Sequence, residues 1–245
     1  MLSIIIPTYN EERFLPLLLE SIKKQDYHEY EIIVADANSK DNTRKIARNY
    51  GCQVVKGGLP AKGRNNGARY ARGDILLFLD ADIILPQGFI RKNLDVFKKK
   101  NLVAAAVWAK PLSISVFDKA LFFIANSCQN IIILFRPVAS GWCILVKKSV
   151  FKKVGGFDEK LLVGEDYDLV NRTRKYGKFA MIKKKHVYVS VRRFEKEGRL
   201  KFVLKILKTT FFDIIGKKMT IHNKEVEYKF GGYSRIKIKD MPKIK

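Results

Sequence analysis

Short apolar runs alternate with helical patterns through the first half of the chain, and this alternation constrains the fold more than any other feature. The apolar runs are LSIII (2–6), EIIVA (31–35), CQVV (52–55), DILLFL (74–79), LVAAAVW (102–108) and CILV (143–146). Between them, Phe14, Leu18 and Ile22 recur at helical spacing. Asp41 is placed to cap a second helix and Pro86 to open another. Strands that alternate with helices in this way indicate an α/β fold, with a mostly parallel sheet flanked by helices.

The later part of the chain is less regular. A helical segment is predicted over about 115–134, and another helix begins near Glu165. The 245 residues are enough to bury one sizeable core, and no repeat or low-complexity linker divides them. From Arg199 onward, lysines fall on one helical face (Lys201, Lys205, Lys208) and apolar residues on another (Leu204, Leu207, Phe211, Ile215). We therefore predict one domain over residues 1–198, followed over 199–245 by a basic amphipathic helix and a tail.

The charge is unusual, with 48 Lys and Arg against 24 Asp and Glu and a net charge of +24. Such a surface suits polyanions, which include nucleic acid, anionic lipid headgroups and phosphorylated small molecules. A noncatalytic nucleic-acid-binding protein is therefore one alternative. The chain has neither zinc-finger spacing nor an aromatic RNA-binding run, so we expect no nucleic acid partner. The basic helix after residue 198 either packs on the domain or makes peripheral contact with an anionic membrane.

The remaining composition predicts a cytoplasmic protein, with the inner face of the cell membrane as a second location. The three cysteines are widely spaced and form no disulfide or metal pattern. The apolar start has no basic region before it, as a signal peptide would. The longest apolar stretch, 120–135, is shorter than the roughly 20 residues that span a bilayer.

Carboxylates follow the apolar runs, at the sheet edge where ligands bind in open α/β folds. Asp36 ends EIIVAD, Asp80 and Asp82 end ILLFLDAD, and GEDYDL places Glu165 and Asp166 at a helix start. Two aspartates in a D-x-D pattern suit Mg²⁺ or Mn²⁺ that keeps waters and bridges substrate phosphates. Each pattern alone has a simpler explanation. An Asp after a strand often forms a turn, and acidic residues are favoured at helix N-termini.

These motifs stand in a characteristic order. The chain reads SIIIPTYNEE, VADANSKDNT, KGRNNGARYARGDILLFLDAD, GW, VGGFDEKLLVGEDYDLVNR and SVRRF. Over about residues 1–200 it resembles family 2 glycosyltransferases of the GT-A fold, and its ending is similar to a small soluble subgroup of that family. The resemblance implies a metal-dependent, inverting transferase that moves a sugar from a UDP- or GDP-sugar to an acceptor hydroxyl. A nucleotidyltransferase is a poorer alternative, because PTYNEE is not a Gly-rich phosphate loop.

The resemblance also implies which residues bind the donor. Those that would contact the base and ribose at the end of the first strand are Pro7, Thr8, Tyr9 and Glu11. Asp36 would address the base, with an Asx-turn in DANS as its alternative role, and Arg64 would lie near the nucleotide. Carboxylates accept hydrogen bonds from base or ribose, and a guanidinium offers a planar fork to carbonyl or phosphate oxygens.

The metal and diphosphate contacts follow from the same resemblance. Asp82 would be the direct ligand of Mg²⁺ or Mn²⁺, and Asp80 would touch the ribose or a metal-bound water. His186 would complete the metal site, unless it is an ordinary histidine at a strand edge. Arg192 and Arg193 would clamp the diphosphate through bidentate hydrogen bonds, unless they are solvated surface charge.

The reacting groups are implied to lie at the GEDYDL helix. Asp166 would be the general base, taking a proton from the acceptor hydroxyl as it attacks the anomeric carbon. Glu165 would help to orient the acceptor, which the resemblance implies is a glycan, including a lipid-linked or membrane-surface one. Gly141 and Trp142 would line the acceptor site, with an ordinary core tryptophan as the alternative.

Overall fold

The computed structural model describes residues 1–133, 139, 141–199 and 201. The strands are β1 (Leu2–Thr8), β2 (Tyr30–Asp36), β3 (Gln53–Lys56), β4 (Ile75–Leu79), β5 (Ile83–Ile84), β6 (Leu102–Pro111), β7 (Cys143–Lys147) and β8 (Lys178–Val189). The helices are α1 (Leu15–Lys23), α2 (Thr43–Asn49), α3 (Pro60–Tyr70), α4 (Phe89–Lys99), α5 (Val116–Ile132), α6 (Lys148–Lys153), α7 (Glu165–Thr173) and α8 (Arg192–Glu197). A short 3-10 turn, Arg174–Tyr176, follows α7.

The strands form one sheet in the order β3-β2-β1-β4-β7-β6-β8-β5. β1 to β4 run parallel to one another, as do β6 and β8. β7 is antiparallel to both of its neighbours, and β5 is antiparallel to β8. The six apolar runs all form strands within this sheet. The predicted α/β architecture, a largely parallel sheet flanked by helices, is therefore confirmed, with β7 and β5 as the departures from parallel order.

Helices cover both faces of the sheet, which explains why its strands are apolar on both sides. In β1, Ile4 and Ile6 lie in one core cluster and Ile5 lies in the other. The first cluster takes its helical side chains from α1, α2, α4, α5 and α8, and the second from α3, α6 and α7. Pro16 of α1 lies in the first turn, where a missing backbone N–H costs nothing.

The strand order reverses between β1 and β4. The chain goes outward from β1 through β2 to β3, and then returns to place β4 on the other side of β1. A crevice therefore opens at the carboxyl ends of β1 and β4, the usual ligand site of such sheets. Thr8, Asp36 and Asp80 stand at the ends of the strands around it.

Two predicted helix features differ in detail. Asp41 is not the N-cap of α2; Asn42 is, and the Asp41 Oδ1 atom accepts hydrogen bonds from the Thr43 N–H (3.0 Å) and hydroxyl (2.5 Å). The helix predicted over 115–134 is α5, with Ser115 as its N-cap. None of the helices in the described ranges combines the length and apolar character needed to cross a bilayer.

The predicted C-terminal helix and tail fall almost wholly outside the described residues, which end at 201 after a gap at 200. Arg199, at the predicted domain boundary, donates hydrogen bonds from Nε to Asp118 Oδ1 (2.8 Å) and from Nη2 to Oδ2 (3.1 Å). Asp118 lies in the first turn of α5. The start of the predicted C-terminal segment is therefore attached to the N-terminus of α5.

Candidate active site

Asp36 is buried at the end of β2, where it accepts hydrogen bonds from its own surroundings. The Thr8 hydroxyl donates to Oδ2 (3.0 Å), the Ser39 hydroxyl donates to the same atom (2.5 Å), and the Ser39 N–H donates to Oδ1 (2.9 Å). The guanidinium of Arg44 lies 3.7 Å from Oδ1. The carboxylate therefore orders the DANS loop, which is the turn-forming role left open by the sequence.

The loops after β1 and β2 are tied together. The Asn10 N–H donates to the Ser39 hydroxyl, and the Glu11 N–H donates to the Thr43 hydroxyl, each at 2.8 Å. Asn38 adopts a left-handed backbone with φ of 66°, which asparagine tolerates better than most side chains. PTYNEE and DANSKDNT thus form one wall of the crevice, with Pro7 and Thr8 buried and Tyr9 half-buried at its rim.

Arg64 joins parts of the chain that are far apart in sequence. Its Nη1 donates to Glu165 Oε1 and its Nη2 to Asp80 Oδ1, each at 2.8 Å, and Nη2 also reaches the Gly141 carbonyl at 3.2 Å. Its guanidinium lies over the Phe157 ring and is 3% exposed. Burial alone would lower the pKa of Arg64, but the charges of Asp80, Glu165 and Asp166 raise it overall. The side chain is therefore a buried cation that connects two groups of carboxylates.

The glycines of α3 explain how Arg64 reaches this position. A Cβ at Gly67 would lie 2.5 Å from Ile5 Cγ2, and one at Gly63 would lie 3.2 Å from Pro7 Cβ. Glycine is unfavourable inside a helix, but here it allows α3 to approach β1 closely. The KGRNNGAR run therefore carries Arg64 into the crevice beside β4.

Asp166 begins α7 beside Glu165, after Gly164 at φ of 83°. Its Oδ1 atom accepts a hydrogen bond from the Tyr167 N–H (2.9 Å), and a Cβ at Gly141 would lie 3.2 Å from its Oδ2. Burial and the neighbouring charge of Glu165 raise the pKa of Asp166 to about 8. A carboxyl with a pKa in this range is able to accept a proton near neutral pH, as a general base must.

Arg192 makes a second buried ion cluster, with Glu11 and Asp82. Its Nη1 and Nη2 donate to the two Glu11 oxygens at 2.8 and 2.6 Å, and its Nε donates to Asp82 Oδ2 at 2.9 Å. Its guanidinium also lies 4.7 Å from the centre of the Phe14 ring. Burial by itself would lower the pKa of Arg192, but the charges of Asp82 and Glu11 raise it. The structure therefore directs the fork of Arg192 to protein carboxylates.

The two ion clusters meet at the D-x-D pair. Burial raises the pKa of Asp80, Arg64 opposes that shift, and the charge of Asp82 adds to it. Arg193 is exposed, and its charge also lowers the pKa of Asp80. The charged side chains around the D-x-D pair are Glu11, Asp80, Asp82, Glu165, Asp166, Arg64, Arg192 and Arg193. Five carboxyl groups therefore surround three guanidiniums, and below the raised pKa of Asp166, about 8, the excess of negative charge is at most one.

The arrangement around the D-x-D pair matches a site for a divalent cation only in part. No three His, Cys, Asp or Glu side chains form a ready set of ligands in the part of the chain that the structure describes. Asp80 and Asp82 are the two oxygen donors that would hold Mg²⁺ or Mn²⁺, with water and substrate phosphates supplying the remaining ligands.

His186 does not join this pair in a ligand cluster within the described residues. Its ring lies 5.8 Å from that of Trp108, and burial with the charges of Lys110 and Lys185 lowers its pKa. Val187 next to it points into the core, so the alternation of β8 turns His186 to the opposite face. The structure therefore places His186 in a basic, aromatic environment, and its metal role stays a prediction.

Gly141 and Trp142 lie beside Arg64 and Asp80. The Asp80 N–H donates to the Trp142 carbonyl (3.1 Å), next to the Gly141 carbonyl that Arg64 contacts. The Trp142 ring stacks on Phe122 of α5, with centroids 5.8 Å apart and planes at 22°. The backbone of this segment therefore belongs to the crevice, while the indole packs against the core.

The sequence is similar to known glycosyltransferases. A family model described as "Glycosyl transferase family 2" matches residues 3–155. An uncharacterized glycosyltransferase of Haemophilus influenzae is 29% identical over 181 residues, which is 69% of this chain and 60% of that protein. The GalNAc(5)-diNAcBac-PP-undecaprenol beta-1,3-glucosyltransferase of Campylobacter jejuni is 37% identical over 97 residues, 36% of this chain and 31% of that protein. The chain thus spans about 60% of the length of the Haemophilus relative.

The fold is similar to that of two solved structures. The crystal structure of Staphylococcus aureus TarS 1–349 in complex with UDP-GlcNAc matches with a TM-score of 0.63 at 23% identity, over 77% of this chain and 58% of that one. The mannosyltransferase PcManGT from Pyrobaculum calidifontis, in complex with GDP-Man and Mn²⁺, matches with a TM-score of 0.62 at 22% identity, over 74% of this chain and 53% of that one. These likenesses show the GT-A fold. Because the family model covers well over half of the residues, from β1 through α6, the chain belongs to glycosyl transferase family 2.

Proposed function

We propose that this chain transfers a sugar from a nucleotide-diphosphate donor to an acceptor hydroxyl, with inversion at the anomeric carbon. The observation that carries the proposal is the bridge made by Arg64. It holds Asp80, on the donor side, and Glu165, beside Asp166, with 2.8 Å hydrogen bonds from one buried guanidinium. A single side chain thereby fixes the distance between the strand that would bind the donor and the helix that would hold the base.

In the proposed reaction Asp166 accepts the proton of the acceptor hydroxyl. The acceptor oxygen attacks the anomeric carbon on the face opposite the diphosphate, and the bond from that carbon to the diphosphate oxygen breaks with its electron pair. The raised pKa of about 8 supports this role, because the carboxylate retains enough basicity to take a proton near neutral pH. Glu165, fixed by Arg64, orients the acceptor.

We infer that Asp82 and Asp80 hold Mg²⁺ or Mn²⁺ when the donor is bound. Such an ion would offset the negative charge that the departing diphosphate gains. The excess of carboxylates in the crevice supports this inference, as does the Mn²⁺ bound to the related mannosyltransferase. We assign the diphosphate contact to Arg193, which is exposed near Asp80, because Arg192 is already bonded to Glu11 and Asp82.

The donor base and the acceptor are proposed from the relatives. TarS binds UDP-GlcNAc and the Pyrobaculum enzyme binds GDP-Man, so UDP- and GDP-sugars are the donors to test. The Campylobacter relative is named for an undecaprenol-linked acceptor, which supports a glycan or lipid-linked acceptor here. Such an acceptor is consistent with our expectation of a cytoplasmic protein that works at the inner face of the membrane. Nucleic acid binding is disfavoured, because the carboxylates of the crevice would repel phosphates.

Asp36→Ala is expected to weaken nucleoside diphosphate binding at least tenfold. The substitution removes the acceptor of one hydrogen bond from Thr8 of β1 and two from Ser39 in the loop after β2, and with them the order of the surface proposed for the base. Calorimetric titration with UDP and with GDP, in the presence of Mg²⁺, measures the effect. Asp26→Ala is the matched control, because Asp26 is an exposed carboxylate paired with Arg91. Equal loss of affinity in both variants, or in neither, would contradict a donor site at Asp36.

A further inference from the structure

The outward surface of α5 is apolar along its length. The large apolar residues exposed on it or just before it are Ile114, Val116, Phe117, Phe123, Ile124 and Ile131, each between 57% and 79% exposed. The other exposed residues from 114 to 131 are Lys119, Ala120 and Cys128. Lys119 is therefore the one charged residue among the exposed positions of this stretch. An apolar patch of this extent on a globular domain marks an interaction surface.

Two of the three buried residues of α5 are polar, which is unusual for a surface helix. Its buried positions include Asp118, which accepts hydrogen bonds from Ser113 and Arg199, and Asn126, which exchanges two hydrogen bonds with the backbone of Ala109. Surface helices normally turn polar residues to water and apolar residues to the core. Helix α4 follows that rule, since Phe89, Leu94 and Phe97 are buried. Its exposed residues are Arg91, Lys92, Asp95, Lys98 and Lys99.

The charged residues near α5 in sequence are positive where they are exposed, which favours an anionic partner. The exposed cations nearest in sequence to its apolar surface are Lys110, before the helix, and Lys119 within it, while the only acidic residue of the helix, Asp118, is buried and paired. A second copy of the chain would bring another net charge of +24. Residues 202–245 are basic as well, with 11 Lys and Arg against 4 Asp and Glu. An anionic bilayer instead offers an apolar layer beneath a negative surface.

The same helix borders the crevice. Phe122 on its inner side stacks on Trp142, whose carbonyl accepts the N–H of Asp80. We propose that α5 lies in the interfacial layer of an anionic membrane, with its exposed apolar side chains at the boundary between headgroups and acyl chains. The crevice then opens next to the bilayer. The crevice beside the bilayer would then receive a lipid-linked acceptor presented from that membrane, an inference that rests on the proposed transferase function.

Cys128 allows a direct test in the full chain. It is exposed on α5, whereas Cys52 and Cys143 are buried, so a thiol-reactive, polarity-sensitive fluorophore can be attached at this one position. We expect its emission to rise and shift to shorter wavelength with phosphatidylglycerol-containing vesicles, and nitroxides on the acyl chains to quench it. Pure phosphatidylcholine vesicles should have a much smaller effect. A label that binds to the vesicles with its protein yet stays water-exposed would overturn the proposal.

Vesicle cosedimentation of variants locates the contact. Phe117→Ser/Phe123→Ser/Ile124→Ser is expected to weaken binding to the anionic vesicles at least tenfold. Tyr50→Ser/Tyr70→Ser, which removes exposed aromatic rings elsewhere, should leave it unchanged. Lys205→Gln/Lys208→Gln tests the basic C-terminal segment as the alternative contact. The role of α5 would be contradicted if the Lys205→Gln/Lys208→Gln variant lost vesicle binding while the triple variant on α5 kept it. It would also be contradicted if the protein formed a dimer that shields the Cys128 label from water in the absence of lipid.

The test of membrane contact by α5 does not depend on whether the transferase proposal is correct. The triple variant should keep the thermal unfolding midpoint and the nucleoside diphosphate affinity of the wild type, because its three positions are exposed and lie outside the ion clusters. If the wild type binds vesicles through α5 but binds no nucleotide, the transferase proposal fails and the membrane surface stands. If nucleotides bind and the label reports no membrane contact, the membrane proposal fails and the transferase proposal stands.

Discussion

The Asp166→Asn variant is expected to bind the donor normally and to transfer sugar about 10²- to 10⁴-fold more slowly than the wild type. Asparagine keeps the size of the side chain and can still accept the hydrogen bond from the Tyr167 N–H. It cannot take a proton from an acceptor hydroxyl. Because the change falls on the proposed base and leaves Asp36 and Asp80 in place, the loss should appear in kcat rather than in the affinity for the donor.

The pH dependence gives this prediction a second readout. With the pKa of Asp166 raised to about 8, wild-type kcat should reach its plateau above that pH and fall about tenfold per unit well below it. The stability effect has the opposite direction. The unfolded state loses this proton near its ordinary pKa of 3.8 and the folded state only near 8, so rising pH destabilises the fold through this group. Asp166→Asn should therefore unfold at a higher temperature than the wild type at pH 9.

Asp95→Asn, an exposed change on α4, is the control for both measurements. It should leave the kcat, its pH profile and the unfolding midpoint at their wild-type values. A wild-type rate that stays flat from pH 6 to pH 9, or an Asp166→Asn variant with full activity, would exclude Asp166 as the base.

The Arg192→Met variant is expected to lose about 3–5 kcal/mol of stability. Glu11 and Asp82 share this guanidinium through three hydrogen bonds, and all three side chains are buried. Removing one partner of a buried ion pair leaves the other charges without compensation, which is more damaging than removing a surface pair. Methionine fills a similar volume, so the loss measured by urea unfolding reports mainly on the charges.

Two further variants test whether the buried ion cluster is the cause of the stability loss in Arg192→Met. Arg91→Met breaks an exposed pair with Asp26 and should cost less than about 1 kcal/mol. Arg192→Lys keeps the positive charge but not the planar fork, so its stability should fall between those of the wild type and Arg192→Met. If Arg192→Met unfolds like the wild type but binds nucleoside diphosphate poorly, Arg192 is a diphosphate contact, as first expected from the sequence.

The sequence predicted the parts of the molecule whose signals are local. The six apolar runs carry β propensity and appear as strands, and the carboxylates that follow them stand at the sheet edge. The ion pairs that these carboxylates form with arginines could not be predicted from local sequence. Glu11 and Arg192 are 181 positions apart, and Arg64 and Glu165 are 101 positions apart. Such contacts depend on how strands and helices pack, so the resemblance suggested ligand-binding roles for Arg64 and Arg192 where the structure shows ion pairs.

Part of β8 lacks the alternation of apolar and polar residues that would identify a strand in the sequence. Its KFAMI half pairs with β6, but the KKKH stretch from Lys183 to His186 lies at a register shift opposite Val107 and Ala109. The Lys185 backbone is instead held by the side chain of Asn93, through hydrogen bonds of 3.1 Å. A run of lysines at such an irregularity does not alternate with apolar residues. The resemblance implied the metal role of His186, and the structure shows its ring beside that of Trp108.

Donor cleavage measures the central claim most directly. The full chain is incubated with UDP- and GDP-sugars, with Mg²⁺, Mn²⁺ or a chelator, and the released nucleoside diphosphate is measured for the wild type, Asp82→Ala and Asp166→Asn. We predict that one class of donor is cleaved, that chelation stops the reaction, and that both variants lose it while Asp166→Asn still binds the nucleotide. Absence of donor binding and cleavage, together with nucleic acid binding that falls steeply with salt, would contradict the glycosyltransferase account.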